Sequence, residues 1–243
     1  MRIAGLPAVA ALFASAPDRV ERLFFDVRMK SHVTAFCGEL ARARKPYRLV
    51  KGDELERIAG SAMHGGVVAL ARPRPVPFVD PAAAGGWAAD GKLLLLLDDI
   101  GNPQNLGAIA RTAAFFGLPR IVLSDHPSQA RPSDASYRVA EGGLEHVELF
   151  RARAFVPLLQ RLRRDYRVVA AAAENGRPPS ELLAQRAEPV RPFALVLGNE
   201  EHGLPRATLA ACDAVVTIPG AGHVQSLNVA ASAAILIHAL SGH

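Results

Sequence analysis

Apolar and polar positions along this chain follow two rhythms. Residues 6–13 and 33–43 carry apolar side chains at helical spacing, and 53–59 reads as a short helix with Asp53 as its candidate N-cap. Between them, 20–27, 47–50 and 67–71 read as strands. This first stretch predicts a small α/β unit. From residue 92 the alternation is cleaner. Five leucines in a row at 93–97, followed by polar turn residues, predict a strand buried on both faces. Residues 105–116 have helical periodicity. Further strands are predicted at 121–123, 168–172, 194–197 and 214–218, with helical stretches such as 155–164 between them. That order predicts a parallel sheet covered on both faces. The last element, 226–240, is a helix that is apolar nearly all round. Such a helix must be buried in its own subunit or against a partner, which favours a homodimer.

Between the two units, residues 72–91 hold Pro73, Pro75, Pro77 and Pro81, then Gly85 and Gly86. Proline removes backbone donors and stiffens the chain, so this stretch predicts an interdomain linker and no strand. Phe78 and Trp87 predict that parts of it dock on a neighbour. The expected division is a small α/β domain over 1–72, a Pro/Gly-rich linker over 73–91, and a second α/β domain over 92–243.

Half of the 243 residues are hydrophobic and 21% are charged. That supplies a core and excludes a disordered or fibrous chain. The net charge of +5 is uneven. Up to Asp90 there are 13 basic and 9 acidic residues, and from Gly91 onward 15 and 14. Arg42, Arg44, Lys45, Arg48 and Lys51 form the densest cluster, compatible with a polyanionic partner. Cys37 and Cys212 are far apart and in no metal-ligand spacing, so neither a disulfide framework nor a metal site is expected. A reduced, cytoplasmic protein is the simplest expectation. No apolar run approaches the ~18 residues of a membrane span, so neither export nor insertion is expected.

Parallel sheets gather their ligands at the carboxyl ends of the strands, so the loops that follow strands carry the candidate chemistry. The first loop reads Asp98, Asp99, Gly101, Asn102 and Pro103, and leads into Asn105, Gly107 and Arg111. Asn105 and Arg111 are less than two helical turns apart, so both are expected to point broadly toward the strand ends. The second loop runs from Gly198 through Asn199, Glu200, Glu201 and His202 to Gly203. The third follows Ile218 with Pro219, Gly220 and Gly222, then Ser226, Leu227 and Asn228, with Ser226 as candidate N-cap of the last helix. Gly220-Ala221-Gly222 is half of a dinucleotide fingerprint. It is rejected, because Gln225 stands at the third glycine position and no acidic residue can follow about 20 residues on. P-loop, nucleophile-elbow, H-E-x-x-H and C-x-x-C patterns are absent from the sequence.

Taken together the loops are more specific. N-x-G-x-x-x-R from Asn105, G-N-E-x-x-G-L from Gly198, and I-P-x-x-G-x-x-x-S-L-N-V from Ile218, in that order, resemble the SpoU (TrmH-like) family of RNA 2′-O-ribose methyltransferases, within the SPOUT superfamily. The resemblance covers residues 93–240. More loosely, His64-Gly65-Gly66-Val67-Val68-Ala69-Leu70 and the α/β pattern resemble the small ribosomal-protein-like RNA-binding domain that precedes it in many members.

The resemblance implies a deep trefoil knot, S-adenosyl-L-methionine bound in it, and a working site built by two subunits. It implies Arg111 as the catalytic arginine, with Asn105, Glu200, Ser226 and Asn228 beside it, and Gly198, Ile218 and Leu227 around the cofactor. Arg111 is expected to hold a phosphate and the nascent alkoxide, since a guanidinium keeps its proton. Glu200 is expected to pair with it. The implied partner is rRNA or tRNA. Three positions depart from the family's pattern: Gly220, Ala231 and Glu141-Gly142-Gly143. Two other functions stay in view. One is a non-catalytic RNA-binding protein of the same fold, disfavoured by the five intact candidate catalytic residues. The other is a small-molecule methyltransferase, disfavoured by the first domain.

Overall fold

A computed structural model describes residues 1–185 and 190–241. The first part contains β1 (Arg2–Ala4), α1 (Leu6–Ser15), β2 (Val20–Phe25), α2 (Thr34–Arg42), β3 (Tyr47–Leu49), α3 (Gly52–Ala59) and β4 (Val67–Ala71). Its four strands lie in the order β1-β4-β2-β3, with β4 antiparallel to both neighbours and β2 parallel to β3. Asp53 does not cap α3. Lys51 holds the N-cap position, and Asp53 sits in the first turn, where its carboxylate meets Arg57 at 3.0 Å.

The second part contains β5 (Leu94–Leu97), α5 (Pro103–Phe115), β6 (Arg120–Leu123), α6 (Asp134–Ala140), α7 (Gly143–His146), β7 (Glu148–Arg151), α8 (Phe155–Leu162), β8 (Arg167–Ala171), α9 (Pro179–Ala184), β9 (Phe193–Leu197), α10 (Arg206–Ala210), β10 (Ala214–Val216) and α11 (Val229–Ser241), after α4 (Pro81–Gly86) in the connecting segment. The sheet order is β10-β8-β9-β5-β6-β7, parallel throughout. The leucine run works as expected. Successive strand side chains point to opposite faces, so Leu95 and Leu97 enter one core while Leu94 and Leu96 enter the other. Side chains of α5 and α11 cover the first face, and those of α8 and α4 the second.

The connecting segment forms no strand, as expected, but it pairs with the sheet at one point. The Val79 N–H donates to the Arg151 carbonyl and the Arg151 N–H to that of Pro77, both at 2.8 Å, so Phe78 bridges the edge of β7 in parallel. Pro77 has no N–H to give, so it takes part through its carbonyl alone. The docking of Phe78 and Trp87 holds: Trp87 lies 4.8 Å from Phe150, and Phe78 lies beneath two arginines. The segment is a strap across the edge strand.

The two sheets also meet directly. Ile3, Val9 and Leu12 join the same apolar core as Leu144 and Val147. Within this contact Arg19 reaches Glu145 at 2.8 Å, the Tyr137 hydroxyl at 3.4 Å and the Arg72 carbonyl at 3.2 Å. Burial raises the Tyr137 phenol above its usual range, and the Glu145 charge adds to that. On α11, Val229, Ala233, Leu236, Ile237 and Leu240 are buried while Ile235 is exposed in the single chain. No helix among the described residues is long and apolar enough to cross a membrane.

Candidate active site

Because β5 and β9 are neighbours, the loops that leave them start side by side. The Asp98 N–H donates to the Leu197 carbonyl at 2.9 Å, and Asn199 Nδ2 donates to the Asp99 carbonyl at 3.1 Å. Asp99 adopts a positive φ of 59°, a conformation unfavourable for most non-glycine residues. The Asn199 amide, which also donates to the Asp99 carboxylate at 3.3 Å, holds it there, and His126 Nδ1 lies 2.8 Å from the other carboxylate oxygen. Asn199 also organises its own loop. Its side-chain oxygen accepts from the N–H groups of Glu201 (2.8 Å) and His202 (3.1 Å). Gly198 is required at the start of this loop: a Cβ there would lie 2.7 Å from Leu204 and 2.8 Å from the Gly203 carbonyl.

Three loops converge on Asn105. Its amide nitrogen donates to Glu200, and its amide oxygen accepts from Asn228 Nδ2 at 3.2 Å. One residue from each sequence motif therefore enters a single hydrogen-bonded relay. Asn228 has a second task. Its Oδ1 accepts from the Ala230 N–H and its carbonyl from the Ser232 N–H, both at 2.9 Å, so Asn228 begins α11. Ser226 is not the cap. The helix starts at Val229, too far along for the Ser226 hydroxyl to reach its first N–H groups, and Ser226 is exposed. Gly198 lies at the relay's edge, Ile218 packs against the core, and Leu227 is exposed.

Arg111 does not join the relay. Six residues at 100° each turn the helix through 600°, which places Arg111 about 120° around α5 from Asn105. Its guanidinium meets Glu141 at 2.9 Å, not Glu200, and both side chains are about half exposed. Glu200 is engaged by Asn105 instead. Glu141 follows α6 in the left-handed region (φ 45°), and Gly143 presses α7 onto α5, where a Cβ would come within 2.7 Å of the Arg111 Cα. Sequence reasoning noted Glu141-Gly142-Gly143 only as a departure from the family pattern. It missed Asp99 and Asn199, although the polar turn after the leucine run and the G-N-E motif contain them. Among the described residues no cluster of His, Cys, Asp and Glu could hold a metal ion.

The SpoU rRNA Methylase family model matches residues 92–238, which hold all three loops and the relay. The chain belongs to the SpoU rRNA methylase family. A second model, RNA 2′-O ribose methyltransferase substrate binding, matches residues 2–77. Among SpoU-related proteins, the tRNA/rRNA methyltransferase YfiF of Escherichia coli O157:H7, described as uncharacterized, is 33% identical over 97% of this chain, which spans 66% of its length. The 23S rRNA (guanosine-2′-O-)-methyltransferase RlmB of Acinetobacter baylyi is 29% identical over 96% of this chain and 94% of its own. The fold is shared with the SpoU methyltransferase AviRb of Streptomyces viridochromogenes (TM-score 0.73, 22% identity, 99% of this chain and 88% of that one). It is also shared with an AdoMet-bound rRNA methyltransferase of Sinorhizobium meliloti (TM-score 0.72, 21% identity, 98% and 85%).

Proposed function

We propose that this SpoU-family chain is an S-adenosylmethionine-dependent RNA 2′-O-ribose methyltransferase acting on rRNA or tRNA. The observation that carries the reading is the Asn105–Glu200–Asn228 relay, which joins the three motif loops at the carboxyl edge of a parallel sheet. A protein that merely retained the fold would have no use for it.

The residues fit the cofactor. Among the described residues, no backbone N–H or C=O of 218–227 is used within the protein, while Val224 and Leu227 leave apolar surface in solvent. Free backbone donors and acceptors beside apolar walls suit an adenosine. Gly198, Ile218 and Leu227 are the residues that would hold it. S-adenosylmethionine, when bound, supplies a methyl group on an electrophilic sulfonium. The chain's own residues orient the acceptor. Asn105 and Asn228 position the ribose hydroxyl, and Glu200 fixes the Asn105 amide. The Arg111 fork holds a phosphate and the developing alkoxide, whose proton leaves to that phosphate or to water. Ser226 adds a hydroxyl at the mouth of the site.

In this reading two subunits complete the site. Arg111 and Phe115 are four residues apart and share one face of α5, and Phe115 is 82% exposed. Ile235, on the adjoining α11, is a second exposed apolar side chain. A second copy seated there would bring Arg111 to its partner's cofactor loop. The same reading includes the deep trefoil knot and a catalytic domain over 92–243. It gives the ribosomal-protein-like first domain, 1–72, the task of holding RNA, with 73–91 as the connection. In that first domain Arg42, Arg44 and Lys51 are exposed, whereas Lys45 and Arg48 are already engaged by the Asp18 carbonyl and Glu54. The cellular site is the cytoplasm.

The test is transfer of labelled methyl groups to bacterial rRNA, with acceptor positions mapped by resistance to alkaline hydrolysis. Transfer to a ribose 2′-oxygen is expected. Transfer to a base, or cofactor binding without any transfer to RNA, overturns the reading.

A further inference from the structure

Most arginines with a folded-state partner here meet a carboxylate: Arg19, Arg48, Arg57, Arg120, Arg161 and Arg163 all do. Three clustered arginines behave differently. Arg131, Arg151 and Arg153 line one cleft of about 320 Å³, and among the described residues none of them has a carboxylate partner. Asp125 is the one acidic residue in the lining, and its carboxylate also accepts from the Phe155 N–H at 3.1 Å, so three guanidinium charges face a single carboxylate. Like charges crowded at a concave surface repel one another, and an anion relieves that cost.

The cleft also holds an aromatic ring. Phe78, from the strap, is partly exposed, with the Arg153 guanidinium 3.9 Å and the Arg151 guanidinium 4.4 Å from its ring centre. Arg151 is further fixed by its Nε donating to the Val76 carbonyl at 3.2 Å. Flat guanidinium and aromatic faces beside free cationic forks are the combination that receives unpaired bases and their phosphates.

Position gives the cleft its meaning. It lies at the carboxyl ends of β6 and β7, and β6 is the immediate neighbour of β5, which feeds the Asn105 relay. His126 lines the cleft with its Nδ1 2.8 Å from the Asp99 carboxylate, and Asp99 accepts from Asn199 in the second motif loop. Cleft and relay therefore sit side by side on one edge of the sheet.

We propose that this cleft is a substrate subsite for single-stranded RNA next to the methylated nucleotide. Arg131 and Arg153 hold a phosphodiester, and the Phe78–arginine stack receives one unpaired base. This rests on the RNA methyltransferase reading and adds to it a specific contact surface outside the relay. It also gives the strap a task, because Phe78 carries the RNA path from the first sheet toward the relay.

The experiment uses the full chain, a labelled mixed-sequence single-stranded RNA for binding, and bacterial rRNA as methyl acceptor. Arg131→Ala combined with Arg153→Ala should lower RNA affinity at least tenfold. The salt dependence of binding should fall by about 0.7 in log–log slope, the value for one lost single-strand phosphate contact. KM for rRNA should rise tenfold while kcat at saturating RNA stays within about threefold, and cofactor binding measured by calorimetry should not change. An Arg161→Ala, Arg163→Ala protein, with the same loss of charge elsewhere, should keep its slope. Phe78→Leu, which keeps an apolar anchor for the strap, should weaken single-strand binding without changing the slope. An unchanged slope and KM in the Arg131/Arg153 protein, or an equal drop in the control, overturns the subsite. If no RNA is methylated by the unaltered protein, the functional reading fails, and the slope still decides whether the cleft holds RNA.

Discussion

Two arginine–glutamate pairs in this protein have nearly the same length and opposite settings. Arg19 and Glu145 meet at 2.8 Å between the two sheets, with 11% and 2% of their side chains exposed. Arg111 and Glu141 meet at 2.9 Å on the outer side of α5, with 57% and 50% exposed. In the first each guanidinium nitrogen has a partner: Nη1 donates to Glu145, Nη2 to the Tyr137 hydroxyl and Nε to the Arg72 carbonyl, and the Ser15 hydroxyl donates to Glu145. The second is half open to solvent. Distance alone would rank them equal. Burial decides that one is a joint and the other a charge held ready for something else.

Breaking the joint should give the largest effect. Arg19→Leu strands the Glu145 carboxylate in the core, and loss of one partner from a buried pair costs about 3–5 kcal/mol. Chemical denaturation of the full chain would read it as a large drop in midpoint. A fall of under about 1 kcal/mol would mean that water reaches Glu145 and that the two sheets are not locked there. Removing the charge on α5 should do the reverse. Arg111→Ala should leave the denaturation midpoint nearly unmoved and cofactor binding intact, yet cut single-turnover methyl transfer about 100- to 1,000-fold, the usual loss on removing one group that stabilises developing negative charge. An active variant would remove Arg111 from the mechanism.

The relay lies between these extremes. Asn105→Ala should slow transfer about tenfold to 100-fold and destabilise by about 1 kcal/mol, the net worth of one or two hydrogen bonds. Glu200→Gln keeps the shape and one acceptor oxygen, so most of the rate should survive. If Glu200→Gln is as damaging as Asn105→Ala, the carboxylate charge itself matters, not the orientation of the amide.

The contrast between the pairs also marks where the sequence was legible. Local patterns were readable: the leucine run, the helix from Asn105 and the three loop motifs are all set by neighbours in the chain, and the rings of Phe78 and Trp87 in a proline-rich stretch signalled docking without naming the partner. Asn105, Glu200 and Asn228 were named as one site, and they touch. Partner choice was not readable. Glu200 was expected on Arg111, but helical geometry turns Arg111 away and Asn105 takes the carboxylate. Ser226 looked like a cap because it opens an apolar run, yet the run begins to coil only at Val229. The Arg19–Glu145 joint joins residues 126 apart, and no periodicity carries such a pairing. Edge elements such as β1 and β7 were missed for a related reason. They are three or four residues long and are held by pairing rather than by their own pattern.

The smallest effect belongs to Glu141→Gln, and it sharpens the comparison most. An exposed ion pair contributes about 0–1 kcal/mol, so stability should hardly change. Glutamine keeps the left-handed backbone at φ 45° no better than glutamate does, so any loss from that source is shared by both residues. What changes is the competition for Arg111. A guanidinium that must hold a phosphate during catalysis has to leave Glu141 first, and removing the carboxylate frees it. RNA KM should therefore fall or stay level, with kcat within about twofold, while Arg111→Ala remains inactive. If Glu141→Gln instead costs tenfold or more in kcat, the pair works together at the reacting atoms, and the two glutamates differ in burial but not in kind.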